Sequence, residues 1–198
     1  FVSPRRVAFV LGDVCGHGVS ASLYTLLFKH IADTALRHHT GDLVEAFAEI
    51  EEEIAELVRP HYITAVGGFI EHRQGVALLR VAHAGHPSFL HYVAATGKVI
   101  SESLAPQDAF GLDTGRGRTS DTLELSKGDR LLFYTDGVIE AISPTTEEFS
   151  FERLQDAFGA LSGKPVEAVT AALRKAIAEH QGKAPRTDDI SIILVEVC

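Results

Sequence analysis

Val7-Ala8-Phe9-Val10-Leu11-Gly12-Asp13, Arg130-Leu131-Leu132-Phe133-Tyr134-Thr135-Asp136-Gly137 and Asp188-Asp189-Ile190-Ser191-Ile192-Ile193-Leu194-Val195 are three apolar runs, each with an aspartate at or near one end. Each is short, rich in β-branched or aromatic residues and bounded by turn residues, and so reads as a buried strand. The first two runs close on the acid and the third opens with it. With the last strand antiparallel to the other two, all the carboxylates gather at one edge of a sheet. Crowded carboxylates repel, and each costs free energy to desolvate. A hard divalent cation removes both penalties, so the pattern points to an oxygen-ligand metal site.

Outward from these runs, the periodicity predicts a helix over about 20–38, with Leu23, Leu26, Leu27, Ile31, Ala35 and Leu36 near helical spacing. Asp42 can cap a second helix running to Leu57, with Leu43, Phe47, Ile50, Ile54 and Leu57 on one stripe, and Pro60 ends it. Residues 62–71, 76–83 and 88–93 read as successive antiparallel strands, with turns at 72–75 and 85–87 and a Gly97-Lys98 turn after them. Residues 105–120 show no periodicity and read as loop. Strands at about 121–125 and 130–135 flank a turn at 126–129. Residues 141–150 form a polar excursion around Pro144, followed by helices over about 151–161 and 165–181. One strand, two helices, many strands, two helices and one strand is not a βαβ alternation; it suits antiparallel sheets with helices packed outside. No repeat, linker or low-complexity tract interrupts the chain, which reads as one domain over 1–198.

Composition narrows the function. Hydrophobics at 45% and charged residues at 23% are those of a globular protein. A formal net charge of -9 disfavours a nucleic-acid or anionic-membrane surface. No apolar run approaches the roughly 20 residues needed to span a bilayer, so direct membrane insertion is not expected. Cys15 and Cys198 cannot build a disulfide framework or a zinc ribbon, which fits a reducing, cytoplasmic setting. The chain opens at Phe1 and holds no methionine. The start at Phe1 reads as that of a fragment or of a chain lacking its leading residues.

Taken singly, each motif has an ordinary reading. Gly12-Asp13-Val14-Cys15-Gly16-His17-Gly18 could be a plain strand-to-helix turn; it lacks the Gly-Lys-Ser/Thr of a phosphate-binding loop. Asp136-Gly137 suits a tight turn. Asp188-Asp189 could be a solvated loop. His83 and His86 have a His-x-x-His spacing but no evident third ligand for zinc. His38 and His39 favour a helix end through the dipole, and the acidic run 49–53 reads as a solvated helix face. Cys15 is rejected as the nucleophile of a Cys-x5-Arg loop, because no arginine follows it until Arg37.

Together and in order, residues 12–18, Thr64, Ala84-Gly85-His86-Pro87, Lys127-Gly128-Asp129, Tyr134-Thr135-Asp136-Gly137 with Glu140-Ala141, and Asp188-Asp189 resemble the bacterial metal-dependent serine/threonine phosphatases. The branch is the SpoIIE-like one of the protein phosphatase 2C superfamily, and the resemblance runs over essentially the whole chain. It implies an α+β fold, a four-layer αββα sandwich of two antiparallel sheets flanked by helices, with two Mn2+ or Mg2+ ions at one end. It implies that Asp13 bridges both ions and that the backbone carbonyl of Val14 ligates one. Asp136 and Asp188 complete the other side, with Asp189 a ligand or its neighbour.

The implied reaction is hydrolysis of phosphoserine or phosphothreonine by a two-metal-activated water, without a phosphoenzyme. The implied substrate is a phosphorylated STAS-domain regulatory protein, an anti-sigma-factor antagonist. The implied regulator is an upstream sensor domain or protein, with this chain the output domain of a longer signalling protein, and homodimerisation stays open. His17 is the candidate general acid by its nearness to Asp13, with another residue or a metal-bound water as the alternatives. Members of the branch carry a further aspartate on an earlier strand. This chain is expected to lack that N-terminal strand, so a catalytically silent partner-binding module of the same fold is the rival reading. A two-metal phosphoesterase acting on small molecules is a third.

Overall fold

The computed structural model describes residues 6–16, 18–73, 76–112, 114–186 and 188–198. In chain order the elements are β1 (Arg6–Val14), α1 (Val19–His38), α2 (Leu43–Val58), β2 (Ile63–Arg73), β3 (Val76–Ala84), β4 (Phe89–Val93), β5 (Lys98–Glu102), β6 (Asp121–Leu125), β7 (Arg130–Tyr134), a 3-10 turn (Asp136–Val138), α3 (Phe151–Ala160), α4 (Val166–Gln181) and β8 (Ile192–Glu196). They divide into two compact units, Phe1–His86 with Leu104–Leu125, and Pro87–Ser103 with Ser126–Cys198.

The first unit holds an antiparallel sheet in the order β1-β2-β3-β6, with α1 and α2 packed on one face. Strand alternation sends Ile63, Ala65 and Phe69 of β2 and Ala82 and Ala84 of β3 toward the helices. There they meet Phe28, Ile31, Ala35 and Leu36 of α1 and Phe47, Ile50, Ile54 and Val58 of α2. Each fully buried side chain of this size contributes about 1.5–3 kcal/mol relative to exposure. The stripe expected on α1 is shifted: Leu23 and Leu26 stand exposed, and Phe28 and Ala32 take their place in the core. Val58 replaces Leu57 in the same way on α2. Asp42 caps α2 as expected, accepting from the backbone N–H groups of Val44 and Glu45 at 3.1 and 3.2 Å.

The acidic run on α2 is more than a solvated face. Glu49 meets both His38 (3.3 Å) and His39 (2.5 Å). Glu51 accepts from the Gly111 backbone N–H (3.2 Å) and from the Arg118 guanidinium (2.5 Å). Arg118 also donates to the Asp108 carbonyl (2.6 Å) and lies 4.7 Å from the centre of the Phe110 ring. Phe110 in turn exchanges two backbone hydrogen bonds with Ile63, at 3.0 and 2.9 Å. The aperiodic segment 105–120 is thus a loop, as expected, but one fastened to α2 and to the start of β2.

The second unit holds an antiparallel sheet in the order β5-β4-β7-β8. Leu90, Leu132 and Tyr134 face a core with Leu154 and Phe158 of α3 and Val169, Leu173 and Ile177 of α4. All five residues of β7 are buried, the four of its apolar run as that run predicts and Arg130 paired with Glu196. Two sequence expectations change here. The turn near Gly97 spans 94–97, and Lys98 already opens β5, a strand whose polar, mostly exposed residues hide its period. The last strand begins at Ile192, not beside the aspartate pair. The single carboxylate-bearing sheet edge is also replaced: β1 belongs to the first unit's sheet, whereas β7 and β8 are antiparallel neighbours in the second. No described helix is long and apolar enough to cross a membrane.

Candidate metal centre

In the first unit, Asp13 is the last residue but one of β1, and Val14 ends the strand. The antiparallel register sets Asp13 opposite Thr64 and Val14 opposite Ile63. One further bond, Cys15 N–H to the Tyr62 carbonyl at 2.9 Å, carries the pairing past the strand end. The chain then turns through Gly16 and Gly18, both at positive φ (108° and 89°), which a side chain would strain, and α1 follows at once. His17, the candidate acid, lies outside the described residues, as do Gln74-Gly75 of the expected 72–75 turn and Thr187. Thr64 reaches sideways to the buried His86, Oγ1 to Nδ1 at 3.2 Å. The Ala84-Gly85-His86-Pro87 motif therefore supports the strand that faces Asp13. His83 bonds elsewhere, to the Ala105 carbonyl (2.8 Å). Neither histidine joins a metal-binding group among the described residues.

In the second unit, β7 ends at Tyr134 and the chain enters a 3-10 turn at Asp136. The Asp136 carboxylate accepts from the Gly137 backbone N–H at 2.9 Å, which fixes its orientation. Asp188 does the same with the N–H of Asp189, at 2.7 Å. One carboxylate oxygen of Asp136 and one of Asp188 lie within 4.8 Å of each other. Thr135 builds this approach. Its buried hydroxyl donates to the Asp189 carbonyl (3.0 Å) and accepts from the Ser191 N–H (3.0 Å), while its own N–H donates to the Ser191 carbonyl (3.1 Å). A side chain here stands in for the next rung of the ladder, which is why β8 begins only at Ile192. Asp189 enters the structure through that carbonyl.

The close approach also needs Gly137. A Cβ at that position would lie 2.4 Å from the Asp189 carbonyl oxygen and 3.2 Å from the Asp188 Cβ. Electrostatics report the same crowding. The Glu140 carboxyl is held above its ordinary range, first by partial burial and then by repulsion from Asp136, Asp188 and Glu148. Burial alone pushes the Tyr134 phenol up to about 12, so it stays protonated at neutral pH. Two oriented carboxylates whose negative field suppresses a third suit a hard divalent cation. Thr135 and Glu140 had no assigned role in the sequence; their only signal was membership of the motif Tyr134-Thr135-Asp136-Gly137 with Glu140-Ala141.

The sequence matches the family described as Stage II sporulation protein E (SpoIIE) over residues 3–198. It is 25% identical to the phosphoserine phosphatase RsbP of Bacillus subtilis over 202 residues, covering 99% of this chain and 47% of that protein. The chain spans between a third and a half of the length of the curated relatives it matches. Among solved structures, the SiaA-PP2C domain of Pseudomonas aeruginosa matches with a TM-score of 0.81 at 22% identity, over 98% of this chain and 79% of that one. The PP2C phosphatase domain of SpoIIE from Bacillus subtilis matches with a TM-score of 0.80 at 16% identity, over 100% of this chain and 56% of that one. These likenesses show an α+β fold with two antiparallel sheets and four helices, as the sequence indicated. The chain belongs to the SpoIIE family.

Proposed function

We propose that the protein is a metal-dependent phosphoprotein phosphatase that hydrolyses phosphoserine or phosphothreonine on a regulatory protein. The observation that carries this reading is the pair Asp136 and Asp188, oriented by backbone N–H groups and brought within 4.8 Å. Family membership and the phosphatase relatives support it. In this reading Asp13, the Val14 carbonyl, Asp136 and Asp188 would hold two Mn2+ or Mg2+ ions, with Asp189 beside them. When bound, such ions would supply Lewis acidity toward the phosphate oxygens and lower the pKa of a coordinated water toward neutrality. The chain's own residues do the rest. Thr135 and Gly137 hold the 188–191 segment against the turn that carries Asp136. Thr64 and His86 brace the strand opposite Asp13. His17, four residues beyond Asp13, donates the proton to the leaving serine oxygen. The natural substrate is a phosphorylated STAS-domain partner in sigma-factor regulation, and an attached sensor domain or separate sensor protein sets the activity.

The test is turnover of p-nitrophenyl phosphate and of a phosphoserine protein with added Mn2+. Asp136→Asn removes the charge of one ligand and abolishes both activities. Undiminished turnover in that variant, or in excess chelator, overturns the reading. Absence of Mn2+ binding in calorimetry favours a silent partner-binding module instead.

A further inference from the structure

Thr170, Arg174, Ile177 and Gln181 recur along one stripe of α4. Beside that stripe, in the second unit, lies a cleft of about 380 Å³. Its other wall is Arg186 with Ile190, Ser191 and the first residue of β8. The volume is in the range of small-ligand sites. The charged lining is entirely basic, Arg174 from the helix and Arg186 from the opposite segment, although the chain carries 27 acidic residues against 18 Lys and Arg. Neither guanidinium forms a hydrogen bond or ion pair with any described residue. The other arginines of this unit behave differently: Arg130 pairs with Glu196, and Arg153 with Glu147. The lining includes Ile177 at 2% exposure, and Gln181 is nearly as buried, at 7%. Two arginines without a partner among the described residues, lining one cleft with Gln181, Ser191 and three isoleucines, make a donor-rich receptor.

We propose that this cleft binds an anion of the phosphate or carboxylate type, gripped by Arg174 and Arg186 from opposite walls. Guanidinium forks bond such groups in pairs, and the apolar part of the lining strengthens those bonds over their value in open water. Gln181 and Ser191 supply neutral donors. No aspartate lines the cleft, and anion binding without metal is read separately from metal-dependent turnover, so either reading can fail alone. The anion is either free in solution or carried on a protein segment, and the same chemistry recognises both.

The experiment is calorimetric titration of the full chain in excess chelator, at constant ionic strength, so that phosphate has no bound metal to sit on. The probes are inorganic phosphate and a short phosphoserine peptide. Saturable one-to-one binding is expected, with a dissociation constant on the order of 1 mM or tighter. Arg174→Ala and Arg186→Ala each weaken it at least tenfold. Lys175→Ala removes an equal charge one residue away, outside the cleft, and leaves binding unchanged. All three side chains are exposed, so the fold tolerates the changes. Tighter binding of the peptide assigns the site to a protein segment; equal or weaker binding assigns it to a free anion. Three results overturn the proposal: no saturable binding of either probe, unchanged binding in either arginine variant, or an equal loss in Lys175→Ala.

Discussion

The Thr135 hydroxyl and the Asp189 carbonyl are joined by a part-buried hydrogen bond of 3.0 Å, across 54 residues of sequence. The same hydroxyl accepts from Ser191, so one side chain satisfies two backbone groups of the segment that carries Asp188. The position of Asp188 beside Asp136 therefore depends on a neutral side chain.

Thr135→Val keeps the shape and removes the hydroxyl. It leaves the Asp189 carbonyl and the Ser191 N–H without their partner, at a cost of about 1–3 kcal/mol. Urea unfolding should show that loss. Mn2+ titration should show weakened affinity, because the 188–191 segment is no longer tied to the turn. Wild-type metal affinity in a destabilised Thr135→Val would separate stability from the site and remove Thr135 from the account of Asp188.

Gly137→Ala tests the same approach from the other side. The added methyl would meet the Asp189 carbonyl oxygen at 2.4 Å, so backbone must move. Overpacking of this kind costs about 1–3 kcal/mol. The expected result is a lower melting temperature and a Mn2+ affinity reduced more than in Thr135→Val, because the displaced atoms include Asp188 itself. An unchanged melting curve would show that the segment yields freely.

What the sequence made legible follows from how local each signal is. Asp13 and Asp136 announce themselves because an apolar strand ends on an acid, a pattern carried by a few consecutive residues. Asp42 is legible as a cap for the same reason. The start of β8 is not, because Thr135 replaces a rung of the ladder and no pattern within 188–195 records it. Strand β5 escapes because Lys98, Ser101 and Glu102 are polar and its edge is solvated. The Glu51–Arg118 pair escapes because its members stand 67 residues apart and each looks like an ordinary surface charge.

Glu140 gives a pH prediction. Its folded-state pKa lies above the ordinary glutamate value of about 4.3. The folded state therefore keeps the proton to higher pH than the unfolded chain does. Stability is lost as pH rises from the unfolded value through the folded one, and the penalty persists above it. Glu140→Gln removes the charge, so it should melt at a higher temperature than the parent at pH 7, with the difference vanishing near pH 4. Added Mn2+ should narrow the difference at pH 7, since a cation offsets the Asp136 and Asp188 charges that help raise the pKa. Equal melting temperatures of parent and variant across the whole range would rule out this electrostatic coupling.

Arg118 and Glu51 are 9% and 16% exposed at the side chain, and their ion pair is the central fastening of the 105–120 loop. Removing one partner strands the other: Glu51→Ala leaves a largely buried guanidinium over Phe110 with the Asp108 carbonyl, and Arg118→Ala leaves a carboxylate on α2 with the Gly111 N–H. Each single change should cost about 3 kcal/mol in urea unfolding, as for buried pairs broken on one side. The double variant should cost less than the sum by about 1–3 kcal/mol, because it strands no charge. Loosening should also expose the loop to trypsin at Arg116, which is exposed in the intact fold. The loop's Phe110 pairs with Ile63, and Ile63 neighbours the Thr64 opposite Asp13, so Mn2+ affinity should fall alongside. Strictly additive costs in the double variant would show two independent surface charges rather than a latch.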